Sequence, residues 1–220
     1  MTNILILAAV ALFLFWRLFS ILGTRQGHES EATNTNTKSS DLNSVGLDVD
    51  VKDDSTVEDT DIADYVDLKS ESGEALADMK AADKAFSVKE FISGAKKAYE
   101  MIIVAFESGD VQKLRPLLMD EVFEAFSAVI DQRANKGYTV DLEFGGVREI
   151  RLKDASFDKK DKTAEISISF LSDISSCVRD SEGKIIEGDP KKIRKQRDIW
   201  TFYKDFSKKE PNWFLSGTNS

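Results

Sequence analysis

The sequence is most informative where it is poor. It holds one cysteine, Cys177, so no disulfide can form within the chain, and an oxidising compartment is not required. It holds one histidine, His28, in polar surroundings. With no second histidine and no cysteine cluster, zinc sites built on the usual ligands are excluded, as is a Ser-His-Asp or Cys-His catalytic machine around a folded site. No metal or cofactor is expected. There is no internal repeat and no basic excess of the kind that marks a nucleic-acid-binding domain. An Arg-rich, acid-poor transit sequence is also missing.

The net charge of -9 is unevenly spread. From His28 to Ala85 there are 16 acidic against 5 basic residues, whereas Phe86 to Ser220 is balanced at 23 of each. The acidity therefore belongs to a segment ahead of a charge-neutral folded part. Residues 26–73 are rich in Ser, Thr, Asn, Asp and Glu, with isolated aliphatics such as Leu42, Val45, Leu47 and Val49. That is too little apolar surface to offset the entropy of ordering, so the expectation is an acidic tether. Within it, short patches such as Ile62 to Leu68 are candidate binding motifs, although a plain tether is the simpler reading.

Ahead of the tether, Ile4 to Trp16 is an unbroken apolar run, which Leu18, Phe19, Ile21 and Leu22 extend past Arg17. As a helix, Ile4 to Leu22 would extend about 28 Å, close to the thickness of a bilayer core. Arg17 lies near its end, where a long stem lifts the guanidinium to the headgroups. The first three residues carry no side-chain charge, and no small-residue cleavage site follows, which favours an uncleaved anchor in residues 1–25 over a signal peptide. Arg17 and Arg25 flank the run on its C-terminal side and place the remainder of the chain in the cytoplasm.

The folded part is organised around Phe86 to Phe106. Val88, Phe91, Ile92, Ala95, Tyr99, Ile102, Ile103 and Phe106 recur at steps of three and four, which predicts an amphipathic helix. Ser87 and Glu90 supply a capping-box pattern, and Gly109 a left-handed terminator. Shorter helices are expected at Glu74 to Phe86, Asp110 to Met119 and Asp120 to Lys136. Strands are expected at Thr139 to Asp154, with a bulge at Gly145 and Gly146, from Glu165 toward Arg179, at Ile193 to Phe206 and at Trp213 to Gly217. Helices first and an antiparallel sheet second is the layout of an α+β domain.

The segments SGAKKAYEMIIVAFESGDVQKLRPLL, VFEAFSAVIDQR, EGD, DIWTFYKD and EPNWFLSGT resemble the C-terminal domain of the Tim44-like family, named for a subunit of the mitochondrial inner-membrane protein import machinery. RLFSILGTRQG after the apolar run resembles the bacterial, membrane-anchored members. The resemblance implies that residues 74–220 form a cone, similar to the nuclear transport factor two group. Helices would pack on a curved antiparallel sheet with a pocket between them. Tyr99, Phe106, Trp200 and Phe202 are its candidate lining. It also implies a membrane-anchored, non-enzymatic adaptor at a bacterial inner membrane, with lipid and protein partners. The long charged helical region by which mitochondrial relatives engage a chaperone has no counterpart here.

Two site expectations come from the residues themselves. Lys191, Lys192, Arg194, Lys195 and Arg197 place five cations in seven residues, a candidate contact for anionic headgroups, although a solvated, charge-blunted edge is the simpler reading. Tyr99, Tyr138, Asp198 and Tyr203 are the groups from which an enzyme or small-ligand site would have to be assembled, although structural packing of the tyrosines is the simpler reading.

Overall fold

The computed structural model describes residues 60–219, so the expected anchor and residues 26–59 of the expected tether lie outside it. Among the described residues a helical turn at 60–63 and four named helices precede four strands. These are α1 (Glu71–Ala82), α2 (Val88–Ser108), α3 (Val111–Leu114) and α4 (Asp120–Asn135), then β1 (Thr139–Asp158), β2 (Thr163–Arg179), β3 (Ile185–Asp205) and β4 (Phe214–Asn219). The strands form one antiparallel meander in the order β1-β2-β3-β4. The expected α+β layout is therefore present. No helix among the described residues is long and apolar enough to cross a membrane.

Helix α2 lies across the sheet because its apolar stripe needs a broad partner. Val88, Tyr99 and Ile102 are essentially inaccessible, as are Ile166, Ile168, Phe170 and Phe202 on the facing strands. Its ends form where the sequence indicates. Ser87 Oγ accepts from the Glu90 amide at 3.3 Å, and Gly109 adopts φ 74°, a left-handed turn that side chains with a Cβ rarely take. Asp110 then caps α3 through the Lys113 amide. The bulge expected in β1 falls where Phe144 and Gly146 shift register against β2.

Two segments differ from expectation. Residues 60–73 are folded rather than part of a tether. Ile62 is buried in the core, and the Asp61 carboxylate accepts from the Val88 and Lys89 amides at 2.9 and 3.1 Å. Asp61 thus supplies acceptors to free amides at the start of α2 from 27 residues upstream, and it pairs with the buried Lys80 at 2.9 Å. Helix α1 begins earlier than expected, at Glu71, with Ser70 accepting from the Gly73 amide at 3.0 Å. The second difference is β3, which starts at Ile185 rather than Ile193. The tight turn after Asp180 holds Ile185, Glu187 and Gly188 in register with the end of β2, despite a composition poor in strand formers.

The buried apolar residues form a single cluster running from Ile62 to Leu215. Among the described residues this cluster is continuous from the helices to all four strands. Burial alone would raise the Asp61 carboxyl, but the Lys80 bond and the two amides outweigh it and hold Asp61 below the usual range. A lowered carboxyl contributes stability above its unfolded value, and that contribution is lost as pH falls through the folded value. Asp61→Ala is expected to cost about 2 kcal/mol in urea unfolding near neutral pH. The difference from the parent should shrink below about pH 4. A cost unchanged by acid would show that Asp61 does not act as an ionised cap.

Candidate functional site

Three places in the fold combine chemistry with position. The first is a polar network inside the core. Tyr99 on α2 donates to Asp198 of β3 at 2.6 Å and shares a hydrogen bond with Ser172 of β2 at 3.0 Å, while Gln196 donates to the same Asp198 oxygen at 2.9 Å. Tyr99 stacks on Phe170 with ring centroids 4.2 Å apart and meets Trp200 at 4.6 Å. Burial pushes the Asp198 carboxyl above its ordinary value, and the bonds from Tyr99 and Gln196 only partly oppose this. The Tyr99 phenol is raised as well, first by burial and then by the neighbouring carboxylate. Two of the four groups named for an enzyme site are thus in contact. Tyr138 is at the approach to β1 beside Lys136, and Tyr203 points to the opposite side of the sheet from Asp198.

The second place is a groove of about 670 Å³ between the N-terminal half of α2 and the end of the sheet. The helix contributes Phe91, Gly94, Ala95 and Ala98, whose small side chains leave space. The other wall is aromatic, with Phe202, Phe206 and Trp213, the last 4.6 Å from Phe91 between ring centroids. Of the residues expected to line a pocket, Phe202 is in this wall, whereas Tyr99 and Trp200 are in the closed core and Phe106 packs on Phe126. Asp198 does not line the groove either. The sequence reading missed Gly94, Lys204 and Trp213. A glycine inside an otherwise strong helical pattern was the available signal.

The third place is the first half of β3. Strand β4 pairs only with Ile199 to Tyr203, which leaves the far edge of Ile185 to Asp198 without a strand partner among the described residues. Between Asp189, opposite Ser176, and Arg194, opposite Ile174, residues 190–193 have no partner in β2 and bulge out. Ile193 on this bulge is 69% exposed. Lys191, Lys192, Lys195 and Arg197 are exposed around it. Arg197 also reaches Ser169 at 3.5 Å and Glu149 at 3.8 Å, and Arg194 reaches Ser176 at 3.4 Å, so the two arginines are partly tied to the sheet, and the charge of Lys195 acts on Asp173 of β2. No group of His, Cys, Asp and Glu among the described residues is arranged to hold a metal.

Helices laid over one side of a four-stranded antiparallel meander, with a groove at one end, define the class of fold. A family model, the Tim44-like domain, matches residues 72–220. The chain belongs to the Tim44-like domain family. Among solved structures, the intermembrane-space region of the chloroplast protein ARC6 is similar at 12% identity and a TM-score of 0.41, over 58% of this chain and 94% of that one. No curated protein matches.

A folded carboxyl held above its ordinary value favours the native state less as pH rises, because the unfolded chain ionises first. Asp198→Asn keeps an acceptor for Tyr99 without the charge. It is expected to melt at or above the temperature of the parent near pH 8, with the advantage fading toward pH 4. A variant that is equally destabilised at both pH values would show that the buried charge contributes favourably.

Proposed function

We propose that this protein is a non-enzymatic adaptor, held at a bacterial inner membrane by its apolar first segment. Its cone-like α+β domain lies on the cytoplasmic side and meets lipid and protein partners in protein translocation or membrane-protein biogenesis. The observation that carries the reading is the family match over residues 72–220. The bulge of β3 supports it physically. Exposed cations surround a protruding isoleucine, the combination that suits an anionic bilayer surface, where each cation contributes about 1 kcal/mol. The acidic tether works in the opposite sense. It is repelled by the same surface, so contact is concentrated on the β3 edge. This division of charge also fits an adaptor that has to leave the membrane surface to reach a protein partner.

The test uses residues 60–220, which contain the described hydrophobic cluster, and flotation with vesicles containing anionic lipid. The parent domain is expected to float with acidic vesicles and not with neutral ones. Replacing Lys191, Lys192 and Lys195 by Glu should lower the bound fraction at least about ten-fold, and added salt should do likewise. Unchanged binding of the triple variant to acidic vesicles would remove the β3 edge from the lipid contact.

A further inference from the structure

We propose that the free edge of β3 is the docking surface for a segment of this same chain, residues 41–54 of the acidic stretch ahead of the described fold. The edge has the properties of a receiver. Beyond its short pairing with β4, the run from Ile185 to Asp198 presents main-chain donors and acceptors that no described strand meets, and such a row is a template for a further strand. Of the six large hydrophobic side chains that are exposed among the described residues, three stand on this half of β3, namely Ile185, Ile186 and Ile193. Its charge is of one sign where it protrudes. Residues 190–197 hold five cations and no acid. Asp173 and Glu149 partly offset Lys195 and Arg197, while no carboxylate among the described residues pairs with Lys191, Lys192 or Arg194.

The occupant follows from sign, pattern and reach. A second copy pairing edge to edge would set these cations against one another, and like charges on facing strands are destabilising. Residues 41–54 instead carry Asp41, Asp48, Asp50, Asp53 and Asp54 against Lys52 alone. Val45, Leu47, Val49 and Val51 alternate with Gly46, Asp48, Asp50 and Lys52, the two-residue period of a strand with one apolar side. The chain enters the fold at the start of α2, where Asp61 meets the Val88 amide and Phe91 meets Phe202 of β3. From Phe202 to Lys191 is about 36 Å along a strand, and less across the bulge. Fully extended, residues 48–59 span about 40 Å and residues 41–59 about 60 Å, so the acidic positions reach the lysines. A connection this short also keeps the segment at an effective concentration on the order of millimolar. On an acidic bilayer, lipid phosphates displace it from the same lysines. That exchange rests on lipid binding by β3; the docking does not.

The test uses the full chain in nanodiscs of neutral lipid, where no anionic headgroup competes. Cys177 is replaced by Ala, and spin labels are attached at Ser44→Cys and at Glu182→Cys, on the exposed turn between β2 and β3. Their separation is read by pulsed electron spin resonance. The parent is expected to give a narrow distance distribution. Replacing Lys191, Lys192 and Lys195 by Glu should abolish the narrow peak, as should replacing Asp48, Asp50, Asp53 and Asp54 by Lys, or raising the salt. Combining the two sets of substitutions should restore the peak, which a merely damaged fold would not do. Chains carrying one label each, mixed in one sample, should show no coupling. The proposal is overturned if the parent is as broad as either charge variant, if the combined variant stays broad, or if the mixed chains couple, which would make the occupant a second copy. In discs rich in anionic lipid the parent peak should be lost; a peak that survives there overturns the exchange with lipid and leaves the docking in place.

Discussion

The structure depends on one requirement, that the apolar side of α2 be covered along its length. Tyr99, at the middle of the helix, shows how this is met. Its ring stacks on Phe170, and its hydroxyl donates to Asp198 while accepting from Ser172, which joins the helix to two adjacent strands. A buried aromatic ring contributes large apolar area, and a buried phenol must be hydrogen-bonded. Both conditions are satisfied only when β2 and β3 stand in the observed register. The cost is a carboxyl group deep in the core, whose charge burial disfavours.

Covering α2 at its centre leaves its two ends with different partners. Toward the C-terminus, Phe106 packs on Phe126 of α4, and Arg133 both stacks on Phe106 and pairs with Glu107 at 2.7 Å, so that end is closed. Toward the N-terminus, Gly94, Ala95 and Ala98 are too small to reach the aromatic wall, and the groove remains. The same difference appears in the sheet. Strand β4 protects only the end of β3, so the other half presents an edge whose bulge and lysines resist strand pairing and whose isoleucine is free for a different contact.

Much of this was legible in the residues. The 3.6-residue period, Ser87 and Gly109 defined α2 to within two residues, and alternation in EISISF marked β2. Local rules worked because these elements are stabilised by their own patterns. Asp61 was not legible, since a cap supplied from 27 positions away is a tertiary fact and its neighbourhood reads as polar linker. The early half of β3 was hidden by Gly188, Pro190 and the lysines, and it becomes a strand through its hairpin with β2. Of the candidate sites, the basic run was plain from composition, and the contact between Tyr99 and Asp198 was present within a wider set of four. The groove was largely missed. Its walls come from α2, the end of β3 and the segment leading into β4, and only their packing brings Gly94, Lys204 and Trp213 together.

The central claim is that the β3 bulge meets the membrane or a partner at its surface. The most direct measurement places a photo-crosslinking amino acid at position 193 of the full chain in living cells, with position 101, also exposed but on α2, as the comparison. The account expects crosslinks to phospholipid or to an inner-membrane protein from position 193, and few from position 101. Equal yields from the two positions, or none from position 193, would contradict it.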